Sequence, residues 1–171
     1  MPILSDVSVA IGLGSNLGDR LTNLDSGVSS LRTMVNELQV SSVYETDPVG
    51  FLPQPGFLNA CCVGRTRLSA RQFMSELQDA ERRAGRRRYG PRYGPRELDL
   101  DLLLYGDLAL VSDHLTLPHP RLRERAFVLA PLAEIAANWV VPAAADQPSA
   151  TVAELAEAVG RIGIVRTELR L

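Results

Sequence analysis

Lysine is missing from this chain, since all eighteen basic residues among its 171 are arginine. The absence excludes every site that depends on a lysine, including a Walker-A phosphate loop, the strand lysine of protein kinases and a Schiff base. Any binding of phosphate must therefore rely on arginine, histidine, backbone N–H groups or a metal ion.

Cysteines and long apolar stretches are also scarce. The only two cysteines, Cys61 and Cys62, are neighbours in the chain. Since neighbours on a strand point to opposite faces, we expect no disulfide between them and a reducing, cytoplasmic compartment. No stretch approaches the ~18 apolar residues of a membrane span, and the N-terminus lacks the basic start of a signal peptide. We therefore expect no membrane segment and no membrane partner.

Length and composition are typical of one folded domain. We expect residues 1–171 to form a single domain with its own hydrophobic core. Hydrophobic residues make up 46% of the chain and charged residues 22%, which is ordinary for a globular protein. The net charge of −2 argues against a surface that binds polyanions throughout.

Hydrophobic periodicity predicts an alternation of strands and helices. The predicted strands are 8–13, 38–46, 57–65 and 97–105, with 108–111 pairing back onto the last of them across Gly106–Asp107. The predicted helices are 17–35, 69–84, 127–136 and 151–159, with loops at 47–56 and 143–150, and Ser69 and Gln72 form a capping box. The order β-α-β-β-α-β predicts a ferredoxin-like α+β fold, an antiparallel sheet with helices on one face and additions at the C-terminus.

The most unusual segment is an arginine-rich loop that leads directly into a strand with two carboxylates. Seven arginines lie from Arg82 to Arg96 with no acidic residue between them, and Asp99 and Asp101 follow at once. Guanidinium groups suit phosphate oxygens, and paired carboxylates suit Mg²⁺. Together they indicate a magnesium–nucleotide site.

Two alternatives to that site remain open from these residues alone. The carboxylates of Asp99 and Asp101 share a strand face opposite the neighbouring leucines, and such a face can simply be solvated. The arginines can stabilise a helix C-terminus or form a nucleic-acid patch on a ferredoxin-like sheet. Another magnesium-dependent transferase with a different acceptor is a third reading.

Several other residues are weaker candidates. Residues 12–18, GLGSNLG, resemble a phosphate loop, but a turn with Ser15 or Asn16 as helix cap explains them as well. His119 lies between two prolines and just before three arginines, which favours phosphate contact. Phe57 and Phe127 are scarce aromatic residues that can be core or ligand clamps, and Asn59 shares a strand face with Phe57.

A set of motifs in order along the chain resembles one enzyme family. GSNLGDR, YETDPVG, FLNA, RYGPRELDLDLLLYG and LPHPRLRERAF are similar to the motifs of 6-hydroxymethyl-7,8-dihydropterin pyrophosphokinases, over roughly residues 9–137. The resemblance implies transfer of the ATP diphosphate to the pterin hydroxymethyl group, with release of AMP, in folate biosynthesis. It also implies ATP and a pterin as partners, no nucleic acid, two Mg²⁺ ions and a monomer.

The resemblance also assigns roles to individual residues. The catalytic residues would be Arg86, Arg96, Asp99 and Asp101, of which Asp99 and Asp101 would hold the metal ions. The pterin would be bound by Thr46, Val49, Phe57, Asn59 and Phe127. The nucleotide would be bound by Gln78, Glu81, Arg88, Arg92, Leu102, His119 and Arg125.

Overall fold

A computed structural model describes residues 6–47, 54–85 and 94–171. In these ranges the strands are β1 (Val7–Ser15), β2 (Asn36–Val40), β3 (Tyr44–Thr46), β4 (Phe57–Thr66), β5 (Asp99–Tyr105), β6 (Leu110–Val111), β7 (Thr116–Leu117), β8 (Val140–Val141), β9 (Ala150–Thr151) and β10 (Ile164–Arg166). The α-helices there are α1 (Arg20–Leu31), α2 (Ala70–Arg83), α3 (Ala126–Ala136) and α4 (Val152–Val159), with a 3₁₀ turn at Leu122–Glu124.

The main sheet is antiparallel throughout, as the sequence predicts. Its strand order is β10-β3-β4-β1-β5, and β2 also pairs with β4. The central pair, β1 and β4, runs in uninterrupted register from Val7 opposite Thr66 to Ser15 opposite Leu58. This long pairing fixes which residues of β1 and β4 share a face of the sheet.

Helices cover both faces of the sheet: α1 and α2, the helices of the β-α-β-β-α-β order, share one face as expected, and the C-terminal helices α3 and α4 cover the other. On one face, Val9, Ile11 and Cys62 pack with α1 and α2. On the other face, Ala10 and Cys61 pack with α3 and α4. The C-terminal helices therefore complete a second core rather than extend the first, and the neighbouring cysteines are free and lie in different cores.

The predicted strand 38–46 is divided into β2 and β3. Val40 pairs with Cys62 and Tyr44 pairs with Asn59. The chain therefore advances four residues from Val40 to Tyr44, whereas β4 advances only three between their partners. The extra residue falls at the bend, where the Ser41 hydroxyl accepts a hydrogen bond from the Cys61 N–H at 2.9 Å. A side chain thus replaces a backbone acceptor, which periodicity cannot indicate.

The predicted hairpin after β5 is also wrong. β6 pairs with β7, whereas β5 pairs with β1. The pairing of β1 with β5 shifts register between Ala10 and Ile11. Strand alternation predicts Leu102 and Leu104 on the face opposite Asp99 and Asp101, but because of the shift only Leu102 packs with α1 and α2, whereas Leu104 packs in the core of α3 and α4.

The helix starts show which capping signals were informative. Ser69 and Gln72 form the predicted capping box at α2. In contrast, Asp19 caps α1 by accepting from the Thr22 N–H, not Ser15 or Asn16. Two of the three glycines of the supposed phosphate loop, at positions 12 and 14, lie inside β1, and only Gly18 lies in the turn before α1.

The C-terminal segment folds back onto the main sheet. β8 and β9 pair across residues 142–149, so the predicted loop at 143–150 is the loop of a short hairpin. β10 then pairs with β3, opposite Tyr44, Glu45 and Thr46. Among the described residues, no helix combines the length and the apolar character needed to cross a membrane.

Candidate active site

One row of residues across the sheet joins most of the predicted site. Tyr44 lies opposite Asn59, Asn59 opposite Gly14, and Gly14 opposite Asp99 on four successive strands. Residues opposite each other in a sheet point to the same face, which here is the face of α3. The register thus places the predicted pterin residues of β4 beside the predicted metal residues of β5.

Gly14 leaves the space at the centre of this row. A β-carbon at that position would lie 3.1 Å from Asn59 Oδ1, 3.6 Å from Phe57 Cδ1 and 4.0 Å from Asp99 Cβ. Three predicted site residues therefore converge on a position without a side chain. Sequence reasoning missed Gly14, although a glycine in a strand is a recognised sign of close approach by a ligand or another chain.

The two aspartates of β5 each face a cation. Asp99 Oδ2 accepts a hydrogen bond from Arg96 Nη1 at 2.7 Å. Asp101 Oδ2 lies 3.7 Å from Arg125 Nη1 and 3.9 Å from His119 Nε2. Each carboxylate thus lies beside a guanidinium group, an arrangement that can bind phosphate and divalent metal together.

The carboxylates of Asp99 and Asp101 fit a magnesium site. Both offer hard oxygen ligands on one face, and Gly14, the partner of Asp99 across β1, carries no side chain that would fill the space. No third acidic, histidine or cysteine ligand clusters with them in the described ranges. A bound Mg²⁺ would therefore complete its shell with water and substrate phosphate, as this ion usually does.

His119 is held in a defined orientation beside Asp101. Its backbone N–H donates to the Leu103 carbonyl at 2.9 Å, which ties it to β5. Its Nδ1 accepts from the Arg121 N–H at 3.1 Å, so Nε2 carries the proton of the neutral ring. Burial, reinforced by Arg125, lowers the pKa of His119 to about 4, so the ring is a neutral donor at physiological pH.

The pterin-binding candidates on β3 and β4 are already joined by a hydrogen bond. Asn59 Nδ2 donates to Thr46 Oγ1 at 2.9 Å, and both side chains are buried. Thr46 is also the register partner of Phe57. Phe127 lies in the first turn of α3, with the Arg125 guanidinium 5.4 Å from its ring centroid. The arrangement supplies two partly exposed rings and one amide oxygen.

Asn16 is a further site residue that sequence reasoning did not identify as such. Its Oδ1 accepts from the Arg96 N–H at 2.8 Å, and its Nδ2 donates to Gln54 Oε1 and to the Pro55 carbonyl. The side chain is only 1% exposed. Asn16 thus links the backbone of Arg96 to the segment before Phe57, although nothing in the local sequence separates it from a helix cap.

The predicted nucleotide-binding residues of α2 and β5 differ in how exposed their side chains are. Glu81 is buried, and its Oε1 accepts from the Leu100 N–H at 2.8 Å, whereas Gln78 is exposed. Leu102 is 1% exposed and belongs to the core of α1 and α2. Only the backbone groups of Leu102 can therefore reach a nucleotide.

Four predicted site residues lie outside the described residues: Val49, Arg86, Arg88 and Arg92. The described candidates that the fold brings to one face of the sheet are Thr46, Phe57, Asn59, Asp99, Asp101, His119, Arg125 and Phe127.

Comparison with known proteins identifies similar sequences over most of the chain. A family model described as 7,8-dihydro-6-hydroxymethylpterin-pyrophosphokinase (HPPK) matches residues 10–137. A Bacillus subtilis 2-amino-4-hydroxy-6-hydroxymethyldihydropteridine pyrophosphokinase is 46% identical over 127 residues, covering 73% of this chain and 75% of that protein. An Arabidopsis thaliana folate synthesis bifunctional protein is 43% identical over 128 residues, covering 74% of this chain. The chain spans about a quarter of that bifunctional protein, or 26% of its length.

Solved structures show a similar fold. The chain matches wild-type Plasmodium falciparum HPPK-DHPS, crystallised with pterin and p-hydroxybenzoate, with a TM-score of 0.67 and 12% identity. This match covers 90% of the present chain and 42% of that one. At such low identity the likeness shows the fold alone.

Proposed function

Because the chain belongs to the 7,8-dihydro-6-hydroxymethylpterin-pyrophosphokinase family, we propose that it transfers the diphosphate of ATP to 6-hydroxymethyl-7,8-dihydropterin. The products are AMP and the pterin diphosphate, a step in folate biosynthesis. The observation that carries the proposal is the row across the sheet, in which Gly14 alone separates Asn59 from Asp99. Acceptor and metal sites are thereby adjacent, as transfer between two bound substrates requires.

In this proposal the pterin ring lies between Phe57 and Phe127. Asn59 Nδ2 is already engaged with Thr46, which leaves Oδ1 to accept from the N–H groups of the pterin edge. Flat rings bind well between aromatic side chains, and the amide oxygen supplies orientation. Val49 remains a predicted contributor from the residues that the structure does not describe.

Asp99 and Asp101 would hold two Mg²⁺ ions, which arrive with ATP and supply charge neutralisation at the transferring phosphates. Arg96, Arg125 and His119 surround the same opening and would bind the remaining phosphate oxygens. His119 would contribute a neutral N–H donor, since its pKa lies well below neutrality. Arg86, Arg88 and Arg92 are further predicted phosphate ligands.

The reaction itself is a displacement at phosphorus. The hydroxymethyl oxygen of the pterin attacks the β-phosphorus, a new P–O bond forms, and the bond to the departing AMP breaks. The hydroxyl proton leaves to Asp101 or to solvent. The cationic side chains, the ring of Phe57 and the side chains of Asn59 and Asp99 act by alignment and charge stabilisation rather than by covalent catalysis.

At the level of the whole chain, we propose a ferredoxin-like sheet in a single cytoplasmic, monomeric domain that binds no nucleic acid. The spatial order β5-β1-β4-β2 supports the first point, because it places the four strands of the β-α-β-β-α-β pattern as that fold does. The adjacent free cysteines agree with a reducing compartment.

An incubation with ATP, Mg²⁺ and 6-hydroxymethyl-7,8-dihydropterin, with separation of the nucleotide products, tests the proposed reaction. AMP formed in equal amount to pterin diphosphate is the expected result. ADP as the product would mean ordinary kinase chemistry. A folded sample that binds MgATP but shows no turnover would mean that the acceptor is a different molecule.

A further inference from the structure

Arg20 makes an unusual pair of contacts behind the pterin site. It is the first residue of α1, and its Nη1 donates at 2.8 Å both to Glu45 Oε1 and to the Gly56 carbonyl. Glu45 immediately precedes Thr46, and Gly56 immediately precedes Phe57. One guanidinium nitrogen therefore joins the two ends of the segment that connects β3 to β4.

The backbone at this junction is tightly packed. A β-carbon at Gly56 would lie 3.1 Å from the Thr46 carbonyl oxygen and 4.0 Å from Arg20 Nη1. Thr46 and Phe57 are register partners, so the two hydrogen bonds of Arg20 lie directly beside this pair. Successive residues of a strand point to opposite faces, which places Glu45 behind the sheet and Thr46 on the substrate face.

Local helix energetics do not explain an arginine at this position. A cation in the first turn of a helix is disfavoured by the helix dipole, and the carboxylate at the start of α1, that of the N-cap Asp19, bonds to the Thr22 N–H. The Arg20 side chain is 30% exposed and that of Glu45 51% exposed, so the ion pair alone contributes little stability. The additional bond to a backbone carbonyl gives the contact a defined geometry.

We propose that Arg20 is a positioning residue for the pterin site, holding Thr46 and Phe57 in the register that Asn59 and the ring clamp require. The inference rests on the proposed function, because it concerns binding of the pterin acceptor. Arg20 touches no substrate and lies behind the sheet, away from Asp99 and Asp101. Its loss should therefore weaken pterin binding and leave nucleotide binding unchanged.

The test is the affinity of Arg20→Gln for each ligand, measured by calorimetry. Pterin binding is measured in the presence of Mg²⁺ and a non-hydrolysable ATP analogue, and the analogue is then titrated alone. A charge-assisted hydrogen bond of this kind corresponds to roughly a tenfold change. We expect a pterin Kd about tenfold higher, with the analogue Kd within about twofold of the parent value.

Three further variants isolate the geometric role. Arg67→Gln removes the ion pair of Arg67 with Asp6, whose Nε–Oδ1 distance is 2.7 Å, and should change neither Kd. Glu45→Gln keeps the backbone bond from Arg20 to Gly56, so its pterin Kd should rise less than that of Arg20→Gln. Arg20→Lys keeps the positive charge and should recover part of the lost affinity.

The inference is overturned if Arg20→Gln binds the pterin within about twofold of the parent protein. It is also overturned if both ligands weaken together with a large drop in thermal midpoint, since that pattern means general destabilisation. A parent protein that binds no pterin overturns the proposed function and this inference together, whereas a parent-like Arg20→Gln overturns only the role of Arg20.

Discussion

At the scale of single residues, Asp101 combines a charged neighbour with exposure to solvent. Its carboxylate faces Arg125 and His119 across 3.7 Å and 3.9 Å, yet its side chain is still 36% exposed. A carboxylate that is open on one side can bind a metal ion, while the neighbouring Arg125 guanidinium and the neutral His119 N–H can bind phosphate oxygens on the same ion. The charge of Asp101, rather than its shape, should therefore determine turnover.

Asp101→Asn should abolish most turnover while the fold stays intact. The substitution keeps the size of the side chain and removes the charge, and loss of metal-based stabilisation should lower kcat by roughly 100-fold or more. Steady-state kinetics over a range of Mg²⁺ concentrations would measure the effect. Asp107→Asn is the matched control, because Asp107 is exposed just after β5, and full activity in Asp101→Asn would contradict the metal assignment.

Gly14→Ala should weaken pterin binding with little loss of stability. The new methyl group would lie 3.1 Å from Asn59 Oδ1 and would compete with the pterin edge for that oxygen. We expect a pterin KM at least about tenfold higher, comparable with the loss of one good hydrogen bond. Gly12→Ala is the control, since its methyl group would meet only Leu103, at 3.6 Å. Equal effects of the two substitutions would argue against a role for the space at Gly14.

His119 should make the stability of the unliganded protein depend on pH. Its pKa falls from 6.5 in the unfolded chain to about 4 in the folded protein, chiefly through burial. The folded state binds fewer protons between these values, so the stability is fully present above pH 6.5 and is lost as pH falls toward 4. Urea denaturation of His119→Gln should show a shallower pH dependence in this window. The exposed His114→Gln should behave like the parent, and an unchanged slope in His119→Gln would refute the assignment.

At the scale of elements, the contact between β2 and β4 depends on a glycine. β2 contains an extra residue between Asn36 and Gln39, where Glu37 has a φ of 53°. Gly64 lies opposite this bulge, and a β-carbon there would clash with Val35 and lie 2.6 Å from the Asn36 carbonyl oxygen. The close approach is possible only without a side chain.

Gly64→Ala should therefore lower the free energy of unfolding. Overpacking against backbone in a well-packed region typically costs about 1–3 kcal/mol, and the bulge cannot move away without losing its pairing with β4. Urea unfolding would measure the change, with Gly12→Ala as a glycine of the same sheet that accepts a methyl group at ordinary contact distance. Identical midpoints for the two variants would show that β2 can shift freely.

At the scale of the whole molecule, one sheet is shared by two cores. Cys62 belongs to the core of α1 and α2, and its neighbour Cys61 belongs to the core of α3 and α4. Neither core can lose its strands without exposing the other. The C-terminal segment is also joined to this sheet. Directly after β10, the Thr167 N–H donates a hydrogen bond to the Val43 carbonyl at 2.9 Å.

The chain should accordingly unfold in a single cooperative transition. Trp139 packs against the core of α3 and α4 and reports on it by fluorescence, whereas far-ultraviolet circular dichroism reports on all helices. The two probes should give the same denaturation midpoint, and the calorimetric and van't Hoff enthalpies should agree. Gly64→Ala should shift both midpoints together. Two separate transitions would mean that the cores are independent domains.

The sequence by itself determined the features that depend on neighbours in the chain. The capping box of Ser69 and Gln72 spans four residues, and the common face of Asp99 and Asp101 follows from strand alternation alone. Local rules therefore located the helix start and the carboxylate pair.

Only the tertiary structure decided the features that depend on distant contacts. The side chain of Asn16 links Arg96 and Gln54, which lie 80 and 38 residues away, so no local pattern distinguishes it from a helix cap. The face occupied by Leu104 depends on a register shift against β1. Long-range pairing fixes such positions, because a shift of one residue moves a side chain to the opposite face of the sheet.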